Sequence, residues 1–511
     1  MINLLGGNYS LMFMSSKKKV IIVGAGPGGL SSAMLLASRG FDVNVYEKAS
    51  QPGGRTSEIN LKGFCFDVGP TFFMMKYILD EIFEQSGLKS DNYLDFLRLS
   101  PMYRLIYPDN GHIDIFEDAS DMKAELKRVF PGEENGLDKF NIKEKKRFAK
   151  LMPLLQGDNN NIFDAFKWRT ISSLPYFSFG KSLYQVMGNY FRSPLARLSF
   201  TFQAKYLGMS PWECPGAFGL VPFVEHDQGV YHVKGGLSEI TRQMARAAQE
   251  LGAKIHYNSS VRQVLLDDGK AVGVELDAGE KISADKVVIN ADFGYACNNL
   301  FPAGALKKYS RKQLDKKGIS CSIFLMLLGL KKQYRLEHNT IVFAKDYKKN
   351  VEEVFSGKLS GDNISFYVRD TSVTDPNLAP KGKSAMYVLL PVPNNRAGID
   401  WNEQRSATRR YLLDALKERL GLDDLEENIE LEQIITPEDW EKNYNVYEGA
   451  TFNLAHNLGQ MMWFRPHNEF EEVGNCYLTG GGTHPGSGLP TIFESGRICA
   501  KLICKKYGVR F

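Results

Sequence analysis

The chain has 511 residues, of which 43% are hydrophobic and 24% charged, and it contains no low-complexity tract. This length exceeds one ordinary core, so we expect two or three domains or subdomains. The 63 basic and 59 acidic residues leave a net charge of +4 at pH 7, which gives no support for a nucleic-acid partner. The seven cysteines form no CxxC pair, so we expect reduced thiols and no metal site.

Residues 1–16 are predicted to be a flexible extension. The lysines at 17–19 follow its apolar part, which is the wrong order for a secretory signal. The longest apolar run, CSIFLMLLGL from Cys321, stops at ten residues, short of the ~18 that a spanning helix needs. We therefore expect no membrane crossing, while attachment to a membrane surface stays open.

The first glycine motif, VIIVGAGPGGL, begins as a buried strand at Val20–Val23 and runs into a helix that ends near Gly40. In a dinucleotide fold the first glycine makes a tight turn, the second admits the pyrophosphate, and a later one packs helix against strand. The phosphates then lie at the helix N-terminus, which favours negative charge. The predicted cofactor-binding residues of this turn are Gly24, Gly26, Pro27, Gly28 and Gly29.

A second strand, with Val43 and Val45 alternating, ends on Glu47, eighteen residues past Gly29. An acid at this distance accepts hydrogen bonds from the adenosine ribose, and we add its neighbour Lys48 to the predicted site. A loop rich in glycine follows, with a cation for the pyrophosphate, and a simple NAD domain has no need of it. These residues favour an extended FAD and are Gly53, Gly54, Arg55, Gly69, Pro70 and Thr71.

Residues 96–224 show a mostly helical pattern without a nucleotide motif. Eleven aromatic, five basic and one acidic residue lie between Phe163 and Phe202. This mixture suits the interface of an anionic membrane, although a helical core with a solvated basic rim would look similar.

The chain then returns to the nucleotide domain. We expect a helix at Ser238–Leu251, three short strands around 254–257, 261–265 and 271–276, and a buried strand that ends before Asp292. The predicted division is a FAD-binding domain (17–95, 225–300 and 451–511), a helical subdomain that associates with substrate and membrane (96–224) and a mixed-sheet substrate-binding domain (301–450). The fold class is thus α/β with a discontinuous Rossmann-like domain.

The second glycine motif, GGGTHPGSGLPTIFESG, starts at Gly480. Its first glycines end a strand and let the backbone approach the cofactor, and proline suits the first turn of the helix that follows. That helix N-terminus can stabilise negative charge on the reduced flavin. The predicted contacts are Gly481, Gly482, Gly488, Leu489, Pro490 and Thr491.

Together, VIIVGAGPGGL…VYEK…GGR, ADKVVINAD and LTGGGTHPGSGLPTI resemble the bacterial and fungal phytoene desaturases, flavoproteins with an amine-oxidase-like fold. FDVGPTFFMM and GVYHVKGGL look closest to the diapophytoene desaturases within that family. The resemblance implies FAD-dependent dehydrogenation of C–C single bonds in an acyclic carotenoid precursor drawn from the membrane. It also implies that Val261 lies against the adenine, that Asp292 belongs to the cofactor site, and that the protein is cytoplasmic and peripheral to the inner face of the cell membrane.

Several points stay open at this stage. No residue pattern identifies a catalytic base, and His484 is a weak candidate for handling a proton. The final electron acceptor is oxygen or a quinone. The alternatives are a terminal-methyl oxidase, a polyene saturase or isomerase, an amine oxidase, and a non-catalytic isoprenoid-binding protein of the GDP-dissociation-inhibitor kind.

Overall fold

The computed structural model describes residues 17–158, 163 and 166–511, without the side chains of Tyr206 and Leu207. The prediction for residues 1–16 lies outside the described residues, as does part of the aromatic segment after residue 158.

The strands, in chain order, are β1 (Lys19–Val23), β2 (Asp42–Tyr46), β3 (Glu58–Leu61), β4 (Phe64–Asp67), β5 (Phe96–Arg98), β6 (Tyr103–Ile106), β7 (His112–Ile115), β8 (Tyr231–Val233), β9 (Lys254–His256), β10 (Val261–Asp267), β11 (Lys270–Leu276), β12 (Lys281–Ser283), β13 (Lys286–Ile289), β14 (Ser322–Leu330), β15 (Asn339–Val342), β16 (Phe366–Asp370), β17 (Ser384–Val392), β18 (Ile429–Ile435) and β19 (Cys476–Leu478).

The α-helices are α1 (Pro27–Ala37), α2 (Lys76–Gln85), α3 (Ala119–Val129), α4 (Glu134–Leu155), α5 (Trp168–Ile171), α6 (Leu183–Met187), α7 (Pro194–Ser199), α8 (Leu220–Gln228), α9 (Ser238–Glu250), α10 (Phe293–Asn299), α11 (Arg311–Leu314), α12 (Tyr347–Phe355), α13 (Trp401–Leu420), α14 (Leu425–Asn428), α15 (Pro437–Tyr444) and α16 (Leu489–Lys506).

The nucleotide domain is built on a five-stranded parallel sheet of order β19-β13-β1-β2-β9. Its central strands are short and apolar, and helices cover them, as an all-parallel sheet requires. The strands all run in one direction, so the turn after β1, the end of β2 and the loop after β19 meet at one edge of the sheet. The predicted α/β fold class, with a Rossmann-like domain assembled from separate stretches of chain, is confirmed.

An antiparallel sheet of order β10-β11-β12 follows β9. The strands expected at 261–265 and 271–276 are present as β10 and β11, each a little longer than predicted. The short third strand, β12, was not predicted, because three residues with one apolar side chain give no periodic signal.

The second large sheet has seven strands in the order β18-β14-β17-β16-β15-β6-β7. Its central strand β14 is the apolar run after Cys321, and every residue of it is buried. Ile323, Leu325 and Leu327 enter the main core, whereas the alternate residues Phe324, Met326 and Leu328 enter a second core on the other face. Burial on both faces explains why this strand reads as continuous apolar sequence.

The start of the segment 96–224 differs from the predicted helical pattern. It forms β5, β6 and β7, and β6 pairs in parallel with β15 at the edge of the seven-stranded sheet. Four-residue strands such as YRLI and HIDI are ambiguous in sequence. They pair with each other, and the other neighbour of β6, strand β15, lies more than 200 residues later in the chain. Helices α3 to α8 then follow. Within the described part of the chain, no helix has the length and apolar character needed to cross a bilayer.

Candidate functional site

The turn after β1 packs closely against the ends of two neighbouring strands. Gly24 has a φ of +97° and donates its N–H to the Tyr46 carbonyl oxygen at 2.8 Å. A Cβ on Gly29 would lie 2.4 Å from the Gly24 carbonyl oxygen, and one on Gly28 would lie 2.5 Å from Thr479 Oγ1. A side chain at these positions would therefore force the turn apart, so the turn requires glycine.

The same turn leaves its backbone amides at the N-terminus of α1. A Cβ on Gly26 would lie 2.7 Å from Asn290 Nδ2, just after β13, and Pro27 opens α1 as a buried residue. The first turn of α1 contains no acidic residue. This combination of glycine backbone and an uncompensated helix N-terminus fits a pyrophosphate.

Glu47 lies buried beside that turn. Its Oε2 accepts a hydrogen bond from the Ala25 N–H at 2.7 Å, and its Oε1 accepts one from the Ala49 N–H at 2.9 Å. The Ser259 N–H donates to the Glu47 carbonyl oxygen at 2.8 Å, which brings the start of β10, and so Val261, near the predicted ribose position. By contrast, Lys48 is exposed, and its Nζ donates to the Asn443 carbonyl oxygen at 3.0 Å rather than facing the glycine turn.

Arg55 lies in a polar cluster next to the turn. The loop before it is fixed by a hydrogen bond of 2.9 Å from the Gly53 N–H to the Ala25 carbonyl oxygen, and Gly54 begins a single 3-10 turn. The Arg55 Nη1 donates to the Thr451 carbonyl oxygen at 3.0 Å and lies 3.7 Å from Asp292 Oδ2.

Asn453 links this arginine to Asp292. With its amide oriented to satisfy both neighbours, it accepts from Arg55 Nη2 at 2.8 Å and donates to Asp292 Oδ2 at 2.8 Å. Asp292 also caps α10 by accepting from the Gly294 N–H at 3.1 Å. Burial raises the pKa of Asp292, and the charge of Arg55 opposes that rise. Sequence reasoning missed Asn453, because a lone asparagine in a loop carries no signal.

The 69–71 loop lies between the nucleotide domain and the seven-stranded sheet. A Cβ on Gly69 would lie 2.3 Å from the Arg55 carbonyl oxygen. Pro70 and Thr71 are half-buried, and the Thr71 side chain hydrogen-bonds to Tyr367 on β16.

Asp67 anchors this loop from below. Its Oδ2 accepts from Arg369 Nη1 at 2.7 Å and from the Leu237 N–H at 2.9 Å, and its Oδ1 accepts from the Ser238 N–H at 2.9 Å. The Asp67–Arg369 pair is almost completely buried. It joins the two domains directly behind the predicted flavin loop.

The C-terminal glycine loop occupies the neighbouring edge of the parallel sheet. Gly480 and Gly488 have φ values of +122° and +117°. A Cβ on Gly482 would lie 2.4 Å from the Phe293 Cβ, and one on Gly481 would lie 3.2 Å from the side-chain amide of Asn453. The loop therefore passes close to the Arg55 cluster.

Helix α16 begins at this loop. Leu489 and Pro490 form its buried start, and Thr491 Oγ1 donates to the Gly488 carbonyl oxygen at 2.9 Å. Its first turn also lacks an acidic residue. Further along the helix, a Cβ on Gly496 would lie 2.3 Å from the Gly28 carbonyl oxygen. The two glycine motifs thus pack against each other and form one continuous cradle that fits an extended dinucleotide cofactor.

Two buried titratable residues have strongly shifted pKa values, one in the C-terminal glycine loop and one on α8. His484 Nε2 lies 2.9 Å from the Gly157 carbonyl oxygen, and burial lowers the pKa of His484 to about 4. It is therefore neutral at physiological pH. Glu225 on α8 accepts from Tyr103 OH at 2.8 Å and Gln203 Nε2 at 2.7 Å, and burial raises the pKa of Glu225 to about 7.

Glu225 is connected to the 69–71 loop through aromatic rings. The Tyr103 ring lies 5.6 Å from the ring of Phe72, the residue that follows Thr71. The sequence around Glu225, VPFVEHDQG, gave no reason to select this carboxylate. As for metals, residues 17–158, 163 and 166–511 contain no cluster of three or more His, Cys, Asp or Glu side chains arranged to hold an ion.

Comparison with known proteins identifies the family of this chain. The profile described as flavin containing amine oxidoreductase matches residues 27–504. A 4,4'-diapophytoene desaturase (4,4'-diapolycopene-forming) from Methylomonas sp is 50% identical over 498 residues, covering 98% of this chain and 97% of the relative. A zeta-carotene-forming phytoene desaturase from Myxococcus xanthus is 35% identical over 484 residues, covering 94% and 93%.

Among solved structures, an oxidoreductase from Methanosarcina mazei matches with a TM-score of 0.62 at 18% identity, covering 94% of this chain and 99% of that chain. At this identity the match shows the fold alone.

Proposed function

Because the chain belongs to the flavin-containing amine oxidoreductase family and, within it, to the carotenoid desaturases, we propose that it dehydrogenates C–C single bonds of an acyclic precursor such as diapophytoene or phytoene. The observation that carries this proposal is 50% identity over almost the full length of both chains to a diapophytoene desaturase. The intact two-ended cradle supports a catalytic protein over a non-catalytic isoprenoid carrier.

The cofactor is FAD, and its proposed ligands are those of the cradle. Gly24, Gly26 and the N-terminus of α1 would hold the pyrophosphate, with Arg55 as its cation, and Glu47 would hold the adenosine ribose. The loop at 69–71 and the loop from Gly480 to Thr491 would enclose the isoalloxazine end. When bound, FAD supplies the oxidant that accepts a hydride from an allylic carbon of the polyene.

The residues around the flavin loop are suited to an apolar substrate. Phe72 packs against Tyr103 and Tyr367, each with a ring-centroid distance of 5.6 Å, and Tyr103 packs against Phe202 at 5.1 Å. These rings exclude water and offer flat surfaces on which a polyene can be oriented. The protein therefore contributes orientation and a dry environment, while the redox chemistry belongs to the cofactor.

The test is expression in a pigment-free host that makes either diapophytoene or phytoene, followed by chromatography and mass spectrometry of the pigments. Desaturation removes two hydrogens per step and shifts absorption to longer wavelength. Added oxygen would indicate terminal-methyl oxidation, an unchanged mass would indicate isomerisation, and added hydrogen would indicate saturation. Any of these three outcomes contradicts the proposal.

We further propose that the protein attaches to the inner face of the cell membrane, from which it takes its substrate. Two segments carry exposed apolar side chains: Phe166, Trp168 and Phe179 are 71%, 79% and 59% exposed, and Leu458 and Phe464 are 51% and 56% exposed. We call these five residues the apolar rim. A basic pair, Lys167 and Arg169, lies within the first segment and is also exposed.

Both segments pack on the same small core. Tyr176 and Phe177 from the first, and Met461 and Trp463 from the second, contact the buried cluster that contains Leu151. The exposed residues of the two segments therefore belong to neighbouring surface. Exposed aromatic side chains beside basic ones favour an anionic lipid interface.

Flotation with phosphatidylglycerol and phosphatidylcholine vesicles tests this surface. The triple variant Trp168→Ser, Phe179→Ser, Phe464→Ser should float less with either lipid while keeping its FAD content. Val373, which is 49% exposed in another part of the chain, provides the control Val373→Ser. Wild-type flotation of the triple variant contradicts attachment through the apolar rim.

The electron acceptor is proposed to be oxygen or a membrane quinone. Reoxidation of the reduced protein can be followed in air and, without air, in vesicles that carry a quinone. If the reduced protein is reoxidised in neither condition, both proposed acceptors are wrong.

A further inference from the structure

Arg465 is a fully buried arginine directly beneath the C-terminal glycine loop. It follows the 3-10 turn Met462–Phe464, and none of its surface is exposed. A Cβ built on Gly486 would lie 3.9 Å from the central carbon of its guanidinium group. The charge therefore lies in contact distance of the loop that is proposed to enclose the isoalloxazine end.

Backbone carbonyl groups surround this guanidinium group. Two of them belong to the glycine loop: Nη2 donates to the Gly481 carbonyl oxygen at 2.7 Å, and Nε donates to that of Thr483 at 3.0 Å. On the other side, Nη2 also donates to the Leu454 carbonyl oxygen at 3.3 Å. Nη1 donates to the carbonyl oxygens of Ala455 at 3.5 Å and Gln460 at 3.1 Å. Arg465 thus ties the 454–460 segment to the glycine loop.

These contacts satisfy the hydrogen-bond donors without neutralising the charge. No carboxylate of the described residues lies within ion-pair distance of Arg465, whereas the buried arginines Arg369 and Arg147 each have one. Burial lowers the pKa of Arg465 to about 9, so the group is still a cation at neutral pH. A buried cation without a nearby anion is costly. This cost points to a bound group, rather than a side chain, as the source of the negative charge.

The effect of this charge extends across the loop. Burial is the main reason that the pKa of His484 is lowered to about 4, and the charge of Arg465 lowers it further. The N-terminus of α16, with no acidic residue in its first turn, adds positive potential at the same end of the cradle. Reduced flavin carries its negative charge on the ring system that this end would receive, and nearby protein charge tunes flavin electronics.

We propose that Arg465 is a positioning residue with two effects: it holds the Gly481–Thr483 backbone in place, and its charge stabilises reduced FAD and so makes bound FAD a stronger two-electron oxidant. This inference rests on the proposed function, because it assumes that the glycine loop encloses the flavin end of FAD.

The test compares Arg465→Met, which removes the charge, with Arg465→Lys, which keeps it. Arg419 gives a matched control, since it also donates to backbone carbonyl groups, those of Tyr107 at 2.7 Å and Phe343 at 3.0 Å, in another part of the chain. FAD content and the reduction potential of FAD-loaded protein are measured by anaerobic titration against reference dyes, without any polyene.

The equilibrium constant for two-electron reduction should fall at least tenfold in Arg465→Met, which lowers the potential by about 30 mV or more. Arg465→Lys should recover part of that loss, and Arg419→Met should have no effect. A wild-type potential in FAD-loaded Arg465→Met overturns the proposal.

A measurement on the wild-type protein covers the case in which Arg465→Met does not hold FAD. Arg465 stays cationic from acidic to neutral pH and should keep reduced flavin anionic. The pH dependence of the potential over this range should therefore correspond to uptake of one proton per electron pair. A slope of two protons per electron pair throughout overturns the proposal. Neither potential measurement uses a carotenoid, so a normal potential combined with no desaturation counts against the proposed function and leaves this inference standing.

Discussion

Gly496→Ala is the sharpest test of how the two glycine motifs are joined. In the interior of a helix, replacing glycine by alanine normally stabilises by about 1 kcal/mol. Here the new Cβ would lie 2.3 Å from the carbonyl oxygen of Gly28 and 2.6 Å from the Ser31 Cβ. Both distances are far shorter than ordinary van der Waals contact, about 3.5 Å, so helices α1 and α16 must separate by about 1 Å.

The first obstacle is backbone in the first turn of α1, so it cannot rotate away. We therefore take the upper end of the overpacking range, about 3 kcal/mol. Subtracting the gain of about 1 kcal/mol in helix propensity leaves a net destabilisation of about 2 kcal/mol. Because α1 and α16 carry the two ends of the cradle, the displacement should also weaken FAD binding.

Urea unfolding followed by circular dichroism measures the first effect, and the release of fluorescent FAD measures the second. Lys501→Ala, at an exposed position on the same helix, serves as the control and should change stability by less than about 0.5 kcal/mol. A Gly496→Ala protein that is as stable as the wild type and binds FAD equally well would refute the close packing of the two motifs.

Three further predictions follow from the same contacts. Gly26→Val places its first carbon 2.7 Å from Asn290 Nδ2 and should yield FAD-free protein; a wild-type ratio of flavin to protein absorbance contradicts the predicted pyrophosphate site. Arg369→Met leaves Asp67 buried with only its two backbone N–H donors. The free energy of unfolding, measured with urea, should therefore fall by about 3 kcal/mol, and adding Asp67→Asn should restore part of the loss. Glu225 has its pKa raised from 4.5 to about 7, so the stability it gives is complete below pH 4.5 and is lost as the pH rises to about 7. Glu225→Gln should remove this pH-dependent change in the free energy of unfolding, on the order of 3 kcal/mol. If the variant shows the wild-type pH dependence in thermal unfolding, the raised pKa of Glu225 is contradicted.

Local motifs were readable wherever the geometry of the backbone itself requires glycine. Gly24 must adopt a positive φ, and Gly28 and Gly29 have no room for a Cβ, so these requirements appear as glycine in the sequence. The strands and the helix around them have strong apolar patterns, and their predicted limits agree with the structure to within a few residues. Lys48 was selected only because it follows Glu47, and its contact with Asn443 lies elsewhere.

The residues that sequence reasoning missed act through partners far along the chain. Asn453 joins Arg55 to Asp292, and Arg465 bonds to the carbonyl groups of Gly481 and Thr483. A single asparagine or arginine in a loop has no spacing rule that marks it. Likewise, β6 joins the seven-stranded sheet only because it pairs in parallel with β15, more than 200 residues later.

The sequence by itself determined the parallel sheet with its glycine turns, FAD as the cofactor and the enzyme family, because glycine spacing and alternating burial are local consequences of backbone geometry. Tertiary structure alone decided which side chains meet at the cradle. The Asp67–Arg369 pair behind the 69–71 loop, the contact between Gly28 and Gly496, and the unneutralised charge of Arg465 all depend on segments brought together by folding. Their energies arise from desolvation and close packing, and both depend on distances in space rather than along the chain.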